Sequence, residues 1–198
     1  MKLNAMPRTK AFCEKEVLEK ATRLFWRKGF HATSIQDLVR ELGINRASLY
    51  DTFGNKEALF KQAFDAYRLQ GQAQVRAFLV EYADPREGIR ALYQMAIDTA
   101  LATDEPLGCM NVNVSCEMLP DEKALAEVLN QQREAITEIF YQYLHPHYTL
   151  PEAEIRAKAT YLYTLYSGLQ VMAKMRPGRE ALEAAADVGV KVLEEAVA

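Results

Sequence analysis

Residues 34–53 read SIQDLVRELGINRASLYDTF. Ile35, Leu38, Val39 and Leu42 recur with helical period behind Thr33 and Ser34, either of which can cap a helix, and Asp37 falls in the first turn, where the helix dipole favours an acid. Gly43 can take the positive φ of a tight turn, Ile44 can plug the angle between two helices, and Asn45 can cap a second helix ending near Phe53. On that helix Leu49 and Phe53 lie four residues apart and face inward, which leaves Arg46, Ser48, Tyr50 and Asp51 as the polar face. Ala47 is small enough to let such a helix sit deep in a groove about 12 Å wide, the major groove of B-form DNA. The segment has the form of a helix-turn-helix. An αα corner with a glycine can take this form without touching nucleic acid, so the rest of the chain decides.

Charge supplies the first context. The chain of 198 residues carries a net charge of −3, which argues against a polyanion partner. Divided at residue 60 the balance changes: residues 1–60 hold 11 Lys and Arg against 7 Asp and Glu, residues 61–198 hold 13 against 20. A basic head thus precedes an acidic body, and such asymmetry signals two tasks, one of them suited to phosphate. Hydrophobic residues make up 49% and charged residues 26%, as in globular proteins, and no apolar run reaches the roughly 20 residues of a spanning helix. The N-terminal MKLNAMPRTKAF has no apolar signal stretch, and three cysteines, Cys13, Cys109 and Cys116, are too few for a secreted disulfide framework; a cytoplasmic protein is expected.

Elsewhere the apolar spacing is helical almost throughout, which predicts an all-α chain. A first helix is expected from Arg8 to Lys28, stopped by Gly29 in the left-handed region, and a long one opens at Lys56. Asp84-Pro85-Arg86-Glu87 has capping-box form, Pro120-Asp121-Glu122 begins another helix, Thr149-Leu150-Pro151-Glu152 repeats the cap, and Pro177-Gly178 separates a final helix from Arg179 to Val197. From Met110 to Met118 apolar and polar residues alternate with the period of a strand. A lone strand has no partner for its backbone, so helix is expected there too.

The pattern Gly29-Phe30-x-x-Thr33-Ser34-Ile35-x-Asp37-Leu38, Gly43-Ile44, Ser48-Leu49-Tyr50-x-x-Phe53, Lys56-Glu57-x-Leu59 resembles the N-terminal signature of the TetR family of transcriptional regulators, densely over residues 15–62. The resemblance implies an all-α homodimer of about nine helices per subunit, with a helix-turn-helix DNA-binding domain, here 1–55, and a ligand-binding and dimerisation domain, here 56–198. It also implies a double-stranded DNA operator of near-palindromic sequence, a small-molecule effector that releases a repressor, and no cofactor. Carried over by position, it puts Thr33, Ser34, Tyr50 and Lys56 on phosphates and Asn45, Arg46, Ala47 and Ser48 near base edges. Arg46 is the expected base reader, because a guanidinium can bind guanine O6 and N7 together. Asp51-Thr52 departs from the family's usual aromatic or histidine, and Asp51 could accept from Arg46 or a cytosine amine.

Beyond residue 62 the resemblance thins. Pro106-Leu107-Gly108-Cys109 is similar to a Pro-x-Gly-Cys motif of a branch that includes regulators of electrophile and oxidant stress, which implies that Cys109 starts the sixth helix and could act as a thiol sensor. Cys109 and Cys116 are expected on one helix face about 10.5 Å apart, too far for a disulfide or a shared metal. His145 and His147 read as surface loop residues. Asn111, Asn113, Tyr93, Met118 and Tyr166 are the candidates to line an effector pocket with Cys109. The dimer is expected through the last two helices, on a face of Ile155, Ala159, Leu162, Tyr166, Leu169 and Ala173 and another of Leu182, Ala185, Ala186, Gly189, Val190 and Leu193. Two other classes compete. An enzyme using Cys109 as nucleophile needs a base, and His31, His145 and His147 are the only histidines. A ligand-binding module that has lost DNA binding is the other.

Overall fold

The computed structural model describes residues 12–119 and 123–194, and among these the chain forms nine α-helices and two short 3-10 turns. The helices are α1 (Glu14–Lys28), α2 (Ile35–Leu42), α3 (Arg46–Phe53), α4 (Lys56–Leu79), α5 (Pro85–Leu101), α6 (Met110–Met118), α7 (Lys123–Leu144), α8 (Glu152–Ala173) and α9 (Arg179–Val190). The 3-10 turns are His145–His147 and Lys191–Leu193. The Pro120-Asp121-Glu122 start lies outside the described residues. Two expected bounds are corrected: the first helix begins at Glu14 behind Cys13 and does not include Phe12, and the last α-helix ends at Val190 and tightens into the 3-10 turn Lys191–Leu193, short of Val197. Met110–Met118 is helical, with Met110, Val114 and Met118 buried at intervals of four.

Packing divides the chain into two compact units, Met1–Tyr67 and Arg68–Ala198. The division expected at residue 55 follows the motif; by packing, the first unit runs on to Tyr67 because the opening turns of α4 supply its core. Leu59, Phe60, Ala63 and Phe64 are buried there with Leu24 and Phe25 of α1, Leu38 of α2 and Leu49 of α3. The Phe60 ring packs edge-on against Phe25 at 5.2 Å and lies 5.0 Å from Phe30. Burying five phenylalanine rings, Phe25, Phe30, Phe53, Phe60 and Phe64, gives a small unit a large share of its apolar area, and tilted and edge-on pairs are the favoured arrangement.

The second unit is built on α5, α7, α8 and α9 around Ile89, Leu92, Tyr93, Phe140, Leu162 and Leu182. Three side chains tie these helices through backbone carbonyls. Tyr93 Oη donates to Leu162 O at 2.9 Å, Tyr148 Oη to Leu193 O at 3.0 Å, and buried Lys158 Nζ to Val192 O at 2.6 Å, beside the C-terminal end of α9 where a cation is favoured.

Two expected caps are corrected. Gly29 has positive φ but an extended ψ of 168°, so α1 ends by turning sharply into the next segment and not in a left-handed cap. The residue preceding α8 is Pro151, with no side-chain cap, so Thr149 does not cap it. The expected dimer faces are corrected too: Ile155, Ala159, Leu162, Leu169, Ala173, Leu182, Ala186 and Val190 are core residues of the subunit itself. Period alone reveals an apolar face without saying what it packs against. The outward apolar residues of these two helices are Tyr161, Met172 and Val188, which are 43%, 45% and 62% exposed.

Candidate nucleic-acid interface and sensor body

The helix-turn-helix is fixed at both starts by local chemistry. At α2 the Ser34 hydroxyl accepts from Asp37 N at 3.1 Å while an Asp37 carboxylate oxygen accepts from Ser34 N at 3.0 Å, a reciprocal capping box. Lys28 and Ser34 donate to the same carboxylate and hold its pKa well below the usual range. Arg40 reaches its other oxygen at 2.8 Å. This Lys28–Asp37–Arg40 cluster went unread in the sequence, although Arg40 stands three residues after Asp37, one turn away on the same helix. Gly43 takes φ 68° and ψ 22°, the left-handed conformation that favours glycine, and Ile44 is buried behind it. Asn45 Oδ1 then accepts from Ser48 N at 2.9 Å and starts α3.

Leu49 is completely buried and Phe53 nearly so, and they hold α3 by its inner face. Asn45, Arg46, Ala47, Tyr50 and Asp51 are exposed and Ser48 is half-buried, so most of the expected contact residues share one outer surface. Arg46 and Tyr50 lie one turn apart; a guanidinium nitrogen donates to Tyr50 Oη at 3.3 Å, with the guanidinium carbon 5.4 Å from the ring centroid. Arg46 therefore leans on Tyr50, where the sequence had offered Asp51 as its acceptor. Lys56 sits at the start of α4 with its ammonium 4.3 Å from the centre of the Phe30 ring. Ser34 is exposed at the head of α2.

Thr33 is the correction. It is 0% exposed, its hydroxyl donates to Gly29 O and its N–H to Phe30 O at 3.2 Å. Its side chain closes the α1–α2 connection from inside, so it has nothing to offer a phosphate.

In the second unit the six expected pocket residues separate. Tyr93 is buried with its hydroxyl committed to Leu162, and burial pushes its pKa far up. Asn113 is structural: its amide donates to Leu107 O at 2.9 Å and its oxygen accepts from Lys174 Nζ at 3.3 Å. Met118 is core. Cys109, Asn111 and Tyr166 remain together, and they gather around Tyr163 and Ser167, which the sequence reading did not assign. Burial raises the pKa of Tyr166 to about 12 and that of Tyr163 upward, with Cys109 close enough to add to both; Ser167 and Asn111 beside Tyr163 act in the opposite sense.

Cys109 is the residue preceding α6 and is buried at 3% exposure, whereas Cys116 is exposed, so the two do not share a face. Gly108 explains the Gly-Cys pair physically. Its φ is 73°, and a Cβ there would come within 2.7 Å of Lys174 Cδ. His145 and His147 lie in the 3-10 turn, their rings 5.4 Å from Tyr141 and 6.2 Å from Tyr143. Among the described residues no three His, Cys, Asp or Glu side chains converge as a metal site, and no helix is long and apolar enough to cross a membrane.

The family model for "Bacterial regulatory proteins, tetR family" matches residues 17–63, from within α1 to within α4. The HTH-type transcriptional regulator YezE of Bacillus subtilis (strain 168) is 30% identical over 194 residues, covering 96% of this chain and all of that protein. The HTH-type transcriptional repressor ComR of Escherichia coli (strain K12) is 29% identical over 195 residues, covering 96% of this chain and 93% of that one. Among solved structures, a cysteine mutant of the TetR family regulator CifR, complexed with 26-bp double-strand operator DNA, superposes with a TM-score of 0.80 at 26% identity, covering 93% of this chain and 98% of that one. The chain belongs to the tetR family of bacterial regulatory proteins and is a helix-turn-helix transcriptional regulator.

Proposed function

We propose that the protein is a cytoplasmic homodimeric repressor that binds a near-palindromic DNA operator through α3 and leaves it when a small molecule occupies the second unit. The observation that carries this reading is the outer face of α3: Arg46, Ala47 and Tyr50 stand exposed while Leu49 and Phe53 anchor the opposite side. Such a helix can enter the major groove, with Arg46 bidentate on a guanine, Asn45, Ala47 and Ser48 near neighbouring base edges, and Ser34, Tyr50 and Lys56 on the flanking phosphates. Leaning on Tyr50 keeps the Arg46 guanidinium over the outer face, so little ordering is left for the moment of binding. CifR, complexed with operator DNA, supports the DNA partner, and the naming of ComR as a repressor supports the sign.

Two half-sites require two recognition helices about 34–36 Å apart, hence a dimer. The outward apolar residues Tyr161, Met172 and Val188 support the last two helices as the interface, on the side opposite to the subunit core. The helix α4 has buried residues in both compact units, Leu59, Phe60, Ala63 and Phe64 in the first and Val75 and Leu79 in the second, which makes it the element through which effector binding shifts the balance between binding-competent and released states. That shift is no larger than the effector's differential affinity for the two.

The test is a gel shift with the promoter region beside the gene that encodes the chain, followed by a ligand screen for release. A saturable shift competed by the same fragment and not by unrelated duplex supports the reading; equal competition overturns it. A second reading makes Cys109 a sensor of electrophiles. The place of Cys109 as the residue preceding α6, beside the free N–H groups of a helix start, favours it, and its 3% exposure means that a reagent must enter the subunit to react. Operator release by a quinone should differ between wild type and Cys109→Ser; identical responses remove this reading.

A further inference from the structure

The helix α4 is held differently in its two halves. In the first unit Leu59, Phe60, Ala63 and Phe64 are buried. Between Arg68 and Leu79, within the second unit, Val75 and Leu79 alone are buried, while Leu69 and, just past the helix, Val80 are 65% and 73% exposed. Gly71 stands in this stretch although nothing lies within 4 Å of where its Cβ would be. No neighbour requires the missing side chain, and a glycine inside a helix adds backbone freedom.

What apolar packing supplies sparsely there, hydrogen bonds complete. Arg68 Nη1 donates to Val128 O at 3.3 Å, Gln72 Nε2 to Gln132 Oε1 at 2.6 Å and Arg76 Nη1 to Gln142 Oε1 at 3.3 Å. The donors stand four residues apart, one turn each, so they share one face of α4, and all three acceptors belong to α7. Gln142 donates in turn to Glu138 at 3.1 Å, and Glu138 accepts from Arg156 of α8 at 2.8 Å, which ties the row to a further helix.

The three bonds are not equivalent. Arg76 and Gln142 are exposed, so water can take either place. Arg68 meets a main-chain carbonyl, which any residue at position 128 would offer. Gln132 is 2% exposed, on a helix whose other inward residues include Ile136, Ile139 and Phe140. A buried amide that loses its partner keeps the cost of its desolvation. Apolar contact is non-directional and tolerates small shifts, whereas a buried polar contact fixes one register, the use to which single buried polar residues are put in coiled coils. A displacement of about 1 Å takes the Gln72–Gln132 pair past hydrogen-bonding distance.

We propose that Gln132, acting through Gln72, is a positioning residue that holds the second half of α4 on α7 in the register in which the protein binds its operator. This rests on reading α4 as the element that links effector and operator binding, and goes beyond it by naming the contact on which that link turns.

The test uses the full chain as wild type, Gln72→Leu, Gln132→Leu and the double variant. Each single change leaves one amide without its partner, and the double change replaces the pair by apolar side chains of similar volume. Without DNA, hydrogen–deuterium exchange over residues 68–80 should be about fivefold faster or more in both single variants. Unchanged exchange shows that the pair does not hold α4 and overturns the proposal. With promoter DNA, fluorescence anisotropy should show binding weakened by about fivefold or more in all three variants. The melting temperature should fall most in Gln72→Leu, which strands the buried amide, and return in the double variant, whereas promoter affinity should not return with it. A double variant that regains affinity along with stability leaves the pair a packing contact and overturns the positioning role, as do folded single variants with the affinity of wild type. Circular dichroism checks folding, and Gln72→Asn, which keeps the amide and shortens its reach, replaces Gln72→Leu if that variant does not fold. Wild type that does not bind the promoter overturns the regulator reading and the positioning role with it, while the exchange result still decides whether the pair holds α4.

Discussion

The two units spend their polar groups differently. In the first, polar side chains start helices, bond to backbone carbonyls or face solvent: Ser34 and Asp37 cap α2, Asn45 caps α3, Asn55 accepts from Ala58 N to cap α4, buried Thr33 donates to Gly29 O, and Arg46 and Tyr50 are exposed. In the second, Ser167, Thr137 and Asn111 hold buried polar atoms that no protein group satisfies. A unit whose purpose is to present one rigid surface gains from having every internal donor matched. In the reading proposed above, the second unit accepts a small molecule, and hydrogen-bonding capacity left unspent there would serve it at a cost in the unit's own stability. In that reading the difference places DNA recognition on the outside of the first unit and effector recognition on the inside of the second.

The comparison can be broken most forcefully at Leu49. Truncation to alanine empties a completely buried position, and large-to-small core changes cost about 2–5 kcal/mol. The single tryptophan, Trp26, packs edge-on against Tyr67 at 4.9 Å within the first unit, so its fluorescence should report earlier denaturant unfolding of that unit in Leu49→Ala. An unchanged fluorescence midpoint would show that α3 is not held by its inner face.

Ser34→Ala removes one arm of the capping box and should lower stability by about 1 kcal/mol in the same assay. Ser167→Ala sharpens the contrast, because it deletes a hydroxyl without a hydrogen bond: the melting temperature followed by circular dichroism should stay or rise. A loss comparable to that of Ser34→Ala would mean that the Ser167 hydroxyl is already satisfied.

The acid response of Asp37 supplies a smaller effect with a definite sign. Its folded pKa lies below the value near 4 of an unfolded aspartate, so its carboxylate contributes stability above about pH 4, which is lost as pH falls through the lowered folded value. The difference in melting temperature between wild type and Asp37→Asn should be constant from pH 7 to 5 and shrink below pH 4. A difference that does not change across that range would show that the Lys28 and Ser34 contacts do not favour the charged form.

The helix-turn-helix was legible because its signals are local: a cap, a left-handed glycine and a four-residue apolar spacing lie within one short segment, and the structure realises each. Helix over Met110–Met118 also followed, from the lack of any partner for a strand. Thr33 was misread because a hydroxyl just ahead of a helix looks exposed until the carbonyl of Gly29 is seen beneath it. The dimer faces were misread because the widest apolar stripes of α8 and α9 serve the subunit core, while the outward residues Tyr161, Met172 and Val188 are scattered.

The central claim, that α3 reads sequence through Arg46 while Lys56 serves only the backbone, is tested most directly by comparing Arg46→Ala with Lys56→Ala on promoter and unrelated duplexes across salt concentration by fluorescence anisotropy. The account predicts that Arg46→Ala weakens promoter binding by about 1–3 kcal/mol and affects unrelated DNA far less. Lys56→Ala should weaken both equally and flatten the salt slope by about one contact. Equal losses on the two duplexes from Arg46→Ala would contradict it.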